Sequence, residues 1–148
     1  MSRKTPALKC LFQNTLMDKK KLRKKLNHLR LLYVEDETPL REQGEIFFKK
    51  FFSTVRVAVN GDEGLSLFKS EVFDIIISDI KMPKMYGDEM LLKIAHEAGH
   101  NKQIIFTVIL TATLEESDID KQVDCFILKP IEFEQMFNLL QKIERKFN

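Results

Sequence analysis

The most regular feature of the sequence is a series of short apolar runs separated by longer amphipathic segments. Most of the runs are unbroken and rich in β-branched residues. A strand with one exposed face alternates polar and apolar residues, whereas a run without alternation is typical of a strand that is buried on both faces. The runs therefore predict five strands of a parallel sheet, at residues 29–34, 55–59, 73–78, 104–110 and 123–128.

Helical patterns fill the intervals between the apolar runs. Thr38 followed by Pro39 predicts a helix start, because a threonine N-cap and a proline at the first helical position both favour one. We expect that helix to end near Phe52. The other helices are predicted by the capping-box spacing of Asn60 with Glu63 and of Thr113 with Glu116, and by the apolar positions Met90, Leu91, Ile94 and Ala98, then Phe133, Met136, Phe137, Leu140 and Phe147.

The predicted order is a strand followed by a helix, repeated five times. Right-handed crossovers between parallel strands place helices on both faces of a sheet. The sequence therefore predicts an α/β fold with a doubly wound, five-stranded parallel sheet. Ligands of such sheets bind beyond the carboxyl ends of the strands, so the residues that follow each run are the candidates for chemistry.

Charge divides the chain near residue 28. Residues 1–28 carry nine basic side chains and one acidic one, a net charge of +8, whereas residues 29–148 carry 15 basic and 21 acidic side chains, a net charge of −6. We therefore expect a basic N-terminal extension, 1–28, ahead of a single acidic domain, 29–148. Leu22, Leu26 and Leu29 have the spacing of a short amphipathic helix, but the arm contains no side chains with site chemistry, which favours a solvated, partly frayed extension. Met17 leaves open a later start of the chain.

A basic arm of this kind could bind an acidic protein face, of which its own domain is one, and it suggests nucleic acid or an anionic membrane surface as an alternative target. We expect neither as a partner, because the acidic domain would be repelled by phosphates and the arm lacks aromatic interleaving. The apolar runs are also far shorter than the roughly 18 residues that a membrane span needs. The two cysteines lie in unrelated segments without metal-ligand spacing. They therefore favour reduced thiols and a cytoplasmic protein.

Chemically active side chains follow four of the five predicted strands. Because the carboxyl ends of parallel strands share one edge of a sheet, we expect these side chains to converge. They are Glu35 and Asp36 after the first run, Asp79 after the third, Thr111 with Ala112 after the fourth, and Lys129 with Pro130 after the fifth.

The acidic residues of this edge suit a magnesium ion. Mg²⁺ takes oxygen ligands and is commonly held by one or two carboxylates together with a phosphate. Asp36 and Asp79, with Glu35 behind them, offer such a set. Acidic residues at strand ends also occur for helix capping alone, so the acidic pair by itself leaves both interpretations open.

Asp79 is central enough to act as a nucleophile. A carboxylate can attack phosphorus to form an aspartyl-phosphate, and the transition state needs in-line positioning and neutralised equatorial oxygens. A metal would shield one phosphoryl oxygen and the Lys129 ammonium a second. The Thr111 hydroxyl and the Ala112 backbone N–H would serve the third.

In this order and spacing, the residues resemble the receiver domain of two-component response regulators, including stand-alone chemotaxis-type regulators. The resemblance spans residues 29–148, and Asp79 lies within the segment SDIKMPKMYG. It implies a flavodoxin-like (β/α)5 fold with strand order 2-1-3-4-5. It also implies that Asp79 accepts a phosphoryl group from a phosphohistidine on a sensor histidine kinase or phosphotransfer protein. The Mg²⁺ ligands would be Glu35, Asp36, Asp79 and the backbone carbonyl of Lys81.

The resemblance assigns roles to further residues and to the domain as a whole. It implies that the Lys129–Pro130 peptide is cis, which the weak trans preference before proline permits. Such a domain signals to a protein partner by a conformational change, and it is not an enzyme beyond its own phosphorylation and dephosphorylation. The residues with roles by resemblance are Met82, Pro83 and Gly87 in the loop after Asp79, and Thr111 and Phe126 as the switch pair.

One segment departs from the family pattern. Thr111 and Lys129 are 18 positions apart, about one helical turn (roughly 3.6 residues) fewer than is usual. We therefore expect a short fourth β-α helix, and we leave open the downstream target and whether the protein is a monomer or a phosphorylation-dependent dimer. An alternative is a receiver cut from a larger regulator or hybrid kinase. An aspartyl-phosphate phosphatase is disfavoured, because Lys81 stands where its second acid would be.

Overall fold

The computed structural model describes residues 19–112 and 123–148. The predicted short fourth β-α helix and its Thr113–Glu116 capping box lie outside these residues, as does Met17. The strands are β1 (Arg30–Val34), β2 (Thr54–Ala58), β3 (Ile75–Asp79), β4 (Phe106–Thr111) and β5 (Cys125–Leu128), and the helices are α1 (19–26), α2 (Thr38–Lys49), α3 (Gly61–Ser70), α4 (Gly87–His100) and α5 (Phe133–Phe147).

All five strands form one parallel sheet in the order β2-β1-β3-β4-β5. The predicted sheet and its strand order are confirmed, and each strand begins and ends within two residues of its predicted run. The last residue of β1, Val34, lies opposite Ala58 of β2 and Ser78 of β3. The chain segments that leave β1 and β3 are therefore neighbours at one edge of the sheet.

Helices cover both faces of the sheet, as the doubly wound prediction requires. One face packs with α1, α2 and α5 in a core that includes Phe48, Leu110 and Leu140. The other face packs with α3 and α4 around Phe73 and Ile94. Burial on both faces explains why most of the strands are unbroken apolar runs.

The helix ends partly differ from the predictions. Thr38 is the first residue of α2 and not its N-cap; the N-cap is Glu37, which within the described chain has no side-chain capping bond, and the helix ends at Lys49, before Phe52. The predicted cap of α3 is confirmed, since Asn60 Oδ1 accepts the Glu63 backbone N–H at 2.8 Å. α5 begins with a capping box that the sequence analysis missed, formed by Glu132 and Gln135.

Helix α1 packs against the domain over residues 19–26. Leu22 and Leu26 are buried in the same core cluster as the inner face of α5. Lys25 Nζ lies 3.1 Å from Glu144 Oε1, and Asn148 Nδ2 donates to the Lys25 carbonyl oxygen at 3.3 Å. The expectation of a solvated arm is therefore wrong for this part of the extension, because its leucines complete the core. The boundary at residue 28 stays a prediction.

The structure contains no candidate membrane span in the two described ranges, because none of their helices is both long and apolar enough to cross a bilayer.

Candidate functional site

Two acidic residues leave the carboxyl end of β1. Glu35 is fully buried, and its backbone N–H continues the sheet by donating to the Ala58 carbonyl oxygen at 3.0 Å. Asp36 follows it and is half-buried. One Glu35 carboxylate oxygen accepts the Glu37 backbone N–H at 3.3 Å. The first two residues after β1 are therefore anchored at the edge of the sheet where ligands are expected.

Asp79 is the last residue of the neighbouring strand β3. Its side chain is 14% exposed, so the carboxylate is largely buried but still reachable from solvent. Its Oδ1 accepts the backbone N–H of Ile80 at 2.9 Å, and the buried Ser78 hydroxyl donates to its backbone carbonyl at 2.8 Å. The residue is thus held by its sequence neighbours while its carboxylate faces the site.

The three acidic residues form one cluster. Glu35, Asp36 and Asp79 each place a carboxylate oxygen within 4.8 Å of the others. Carboxylates that are this close repel one another unless a cation lies between or beside them. The predicted convergence of these residues is confirmed in its geometry.

Lys129 supplies one positive charge to the cluster. It follows β5, and its Nζ lies 3.2 Å from Glu35 Oε2 and 3.1 Å from Asp79 Oδ2. Its backbone N–H donates to the Thr111 carbonyl oxygen at 2.7 Å, which ties the ends of β4 and β5 together. The Lys129–Pro130 peptide is cis, as the resemblance implied.

The pKa values of the buried pair reflect this arrangement. Burial raises the pKa of Glu35, and the charge of Asp79 raises it further, while the charge and hydrogen bond of Lys129 oppose both effects. Burial lowers the pKa of Lys129, but the hydrogen bond and charge of Asp79, followed by those of Glu35, raise it above its ordinary value. Lys129 therefore remains an ammonium, and the cluster still carries more negative than positive charge.

Thr111 and Ala112 lie beside Asp79 across the sheet. Asp79 pairs with Leu110 in the β3–β4 register, so Thr111 is one residue beyond that pair. Thr111 is buried and Ala112 is exposed. Phe126 of β5 is half-buried against the α3–α4 side of the core. The structure thus places these residues around the site or behind it, and the switch roles of Thr111 and Phe126 stay predictions.

The loop after Asp79 returns closely to the strand end. The Gly87 backbone N–H donates to the Ile80 carbonyl oxygen at 2.7 Å, and that of Met85 donates to the Pro83 carbonyl oxygen at 2.8 Å. Met82 is buried, whereas Pro83 and Lys81 are exposed. The shaping role of Met82, Pro83 and Gly87 stays a prediction. The role of the Lys81 carbonyl as a metal ligand stays a prediction.

Arg41 was missed by the sequence analysis. It lies in the second turn of α2, and its Nη1 donates to the backbone carbonyl oxygens of Glu35 at 3.0 Å and Asp36 at 3.1 Å. The signal was available as an arginine five positions after the acidic pair, which places it near the N-terminus of the predicted helix. A helix-surface arginine is common, however, and only the fold shows that it turns back to the loop.

Comparison with known proteins agrees with this geometry. A family model described as the response regulator receiver domain matches residues 31–141. The chain therefore belongs to the receiver-domain family of response regulators.

Curated relatives are longer than this chain. The transcriptional regulatory protein DltR of Streptococcus agalactiae is 31% identical over 109 residues, which are 73% of this chain and 48% of DltR. The probable C4-dicarboxylate response regulator DctR of Bacillus subtilis is 29% identical over 126 residues, which are 78% of this chain and 52% of DctR. The chain thus spans about half the length of the curated relatives it matches.

Solved structures share the fold over most of the described residues. The N-terminal domain of an uncharacterized protein from Wolinella succinogenes has a TM-score of 0.70 and 32% identity, and the match covers 80% of this chain and 96% of that domain. The response regulator TrrA from Thermotoga maritima, in complex with Mg²⁺-BeF, has a TM-score of 0.67 and 28% identity, with 78% of this chain and 99% of TrrA covered.

Proposed function

We propose that this receiver domain accepts a phosphoryl group on Asp79 and passes the signal to a protein partner. The observation that carries the proposal is the position of the Asp79 carboxylate, which lies within a cluster of three acids and 3.1 Å from the Lys129 ammonium. A phosphohistidine on a sensor histidine kinase or phosphotransfer protein is the proposed donor. The cytoplasmic location expected from the sequence is part of the same proposal.

The acidic cluster fits a magnesium ion. All of its side-chain ligands are carboxylate oxygens, which are the hard ligands that Mg²⁺ prefers, and the three residues can each offer one oxygen within 4.8 Å of the others. Glu35, Asp36 and Asp79 would hold the ion, together with the predicted carbonyl of Lys81. The relative TrrA is described in complex with Mg²⁺-BeF. When bound, the ion would supply charge neutralisation for the cluster and for a phosphoryl oxygen.

In phosphoryl transfer, one residue of the site acts as the nucleophile and others stabilise the oxygens of the transferred group. A carboxylate oxygen of Asp79 forms the new bond to phosphorus, and the bond between phosphorus and the donor imidazole breaks. The Lys129 ammonium, already 3.1 Å from Asp79, pairs with an oxygen of the transferred group. The Thr111 hydroxyl and the Ala112 backbone N–H serve a further oxygen. The donor histidine leaves with the electron pair of the broken bond.

Signalling follows from the change in charge at Asp79. A phosphoryl group adds negative charge and strong hydrogen-bond acceptors. Donors such as Thr111 and Lys129 then reorient toward it, and Phe126, half-buried on the neighbouring strand β5, moves with them. Apart from its own phosphorylation and dephosphorylation, the domain needs no catalytic activity for this role.

Intact mass after incubation with Mg²⁺ and acetyl phosphate tests the proposal. We expect the wild-type protein to gain one phosphoryl group and the Asp79→Asn variant to gain none. The matched control Asp62→Asn, on the exposed first turn of α3, should be phosphorylated like the wild type. A chelator should abolish the gain. Modification that persists in a folded Asp79→Asn protein would refute Asp79 as the acceptor.

A further inference from the structure

Arg41 connects helix α2 to the loop that carries two of the acidic residues. The guanidinium Nη1 donates to the carbonyl oxygens of Glu35 and Asp36 at 3.0 and 3.1 Å, and Nη2 donates to the Thr38 hydroxyl at 3.3 Å. Its backbone N–H donates to the Glu37 carbonyl oxygen at 2.9 Å in the first turn of α2. A single side chain therefore joins the end of β1 to the start of α2.

One further side-chain hydrogen bond constrains the loop, from the Glu37 backbone N–H to Glu35 Oε1 at 3.3 Å. Across the described ranges, Glu37 makes no side-chain capping bond at the start of α2, and the first turn contains a proline, Pro39, which has no backbone N–H to donate. Glu35 is anchored to β2 through its own N–H. The two carbonyl bonds from Arg41 thus bear most directly on how Asp36 is presented.

Arg41 hydrogen-bonds to backbone carbonyl oxygens and not to carboxylates, and this difference matters for cation binding at the site. Arg41 is the kind of residue that forms bidentate pairs with carboxylates, yet in residues 19–112 and 123–148 it takes part in no ion pair. Its hydrogen bonds go to backbone carbonyls instead. Arg41 therefore acts on the main chain of Glu35 and Asp36, and it takes no carboxylate oxygen of either residue away from a cation.

We propose that Arg41 is a positioning residue for the divalent-cation site, which holds the main chain of Glu35 and Asp36 so that their carboxylates are preorganised. The proposal rests on the function proposed above, because it assumes that the acidic cluster binds Mg²⁺. Residues that orient metal ligands by hydrogen bonds, without binding the metal themselves, typically contribute 10- to 100-fold to metal affinity.

Neutralising Arg41 should change the Mg²⁺ affinity in opposite directions, depending on whether Arg41 acts by positioning the ligands or only by its charge. Arg41 is a permanent positive charge near a cation site, so its charge alone weakens Mg²⁺ binding. Neutralising it should then tighten binding if Arg41 acts only through charge. If Arg41 positions the ligands, the same substitution should weaken binding by about 10-fold or more.

The experiment measures Mg²⁺ binding to the unphosphorylated protein by titration calorimetry. We expect Arg41→Gln to bind about 10-fold more weakly or worse, and Arg41→Lys to recover part of the loss because one ammonium can reach one carbonyl. Arg56→Gln is the matched control, since Arg56 is exposed on β2 and pairs with Glu71; its affinity should equal that of the wild type. Urea unfolding of each variant verifies that it is folded.

Hydrogen exchange in the absence of metal gives a second readout. We expect faster exchange of the backbone amides of residues 36–38 in Arg41→Gln, with exchange in β3 and β4 unchanged. A folded Arg41→Gln protein with wild-type or tighter Mg²⁺ affinity would overturn the role of Arg41 alone. A wild-type protein that binds no Mg²⁺ would instead refute the proposed function, and this inference with it.

Discussion

Gly87 stands so close to Asp79 that no other residue fits there without a shift of the backbone. A Cβ at Gly87 would overlap the Asp79 backbone oxygen and lie 2.8 Å from the Ser78 hydroxyl. The start of α4 is thus packed directly on the strand end that carries the proposed phosphoacceptor. Glycine, which has no Cβ, allows the backbone of α4 to approach the backbone of Asp79 this closely.

The first prediction follows from this contact. Gly87→Ala should destabilise the protein by about 1–3 kcal/mol, as overpacking of a tight site does, and it should slow phosphorylation by acetyl phosphate because the Asp79 backbone must move. Urea unfolding and intact mass measure the two effects.

Gly99 in the same helix provides the control. Apart from its own helix backbone and chain neighbours, an alanine Cβ there would meet no described atom within 4 Å. Gly99→Ala should therefore stabilise the protein by about 0.5–1 kcal/mol through helix propensity and leave phosphorylation unchanged. Equal behaviour of the two variants would contradict the importance of the Gly87–Asp79 contact.

A second prediction concerns the N-cap of α4. Tyr86 occupies this position with extended backbone, and within the described residues its side chain makes no capping bond. Tyr86→Ser should raise the free energy of unfolding by about 1 kcal/mol, because a serine oxygen can accept the Asp88 backbone N–H, whereas the Glu89 N–H already donates to Asp88 Oδ1 at 2.9 Å. Tyr86→Ala controls for loss of the aromatic ring. If the serine variant is no more stable than the alanine variant in urea unfolding, the prediction is wrong.

A third prediction concerns the pH dependence of stability in the metal-free protein. Burial, then the charge of Asp79, raises the pKa of Glu35 in the folded state above its unfolded value. Folding therefore favours the protonated form. The contribution of Glu35 to stability is greatest below the unfolded pKa, about 4.3, and is lost as the pH rises through the folded pKa.

Glu35→Gln removes the loss of stability that accompanies ionisation of Glu35, since glutamine does not titrate. The stability of the variant relative to the wild type should therefore increase as the pH is raised from about 4 to 7. Urea unfolding at several pH values in the presence of a chelator measures the difference. Glu42→Gln, on the exposed side of α2, controls for removal of a carboxylate. A difference that stays constant or shrinks with rising pH would contradict the shift.

The fourth prediction concerns α1, which precedes the residues matched by the family model. Leu26 is fully buried in the core, so Leu26→Ala should cost about 2–5 kcal/mol in the free energy of unfolding. Leu92→Ala, at a position on α4 that is 45% exposed, should change it by about 0.5 kcal/mol or less. Similar values for the two variants in urea unfolding would show that α1 is not part of the cooperative domain.

The strands and the acidic cluster could be predicted because each depends on a local signal. Burial on both faces of the sheet leaves an apolar run, and the parallel arrangement brings residues such as Glu35 and Asp79 to one edge whatever the details of the helices. The limits of the strands still differ from the predicted runs by up to two residues. β3, for example, continues into Asp79 itself.

The features that the sequence did not predict depend on how distant segments pack against one another. Leu22 and Leu26 have the same spacing on a solvated helix and on a packed one, so the sequence could not show that α1 completes the core. The N-cap of α2 is Glu37 and not Thr38, although threonine is the preferred capping residue of the two, so side-chain preference alone did not locate the cap. Arg41 reaches back to Glu35 and Asp36 only once that loop has formed.

The position of Lys129 at the end of β5 has a mechanical consequence. β5 is one of the two border strands of the sheet and is hydrogen-bonded to β4, yet the lysine that follows it reaches back to Asp79 on the central strand β3. The ion pair therefore links the central strand β3 to the segment that follows a border strand, so a change in charge at Asp79 would act on that border of the sheet through Lys129.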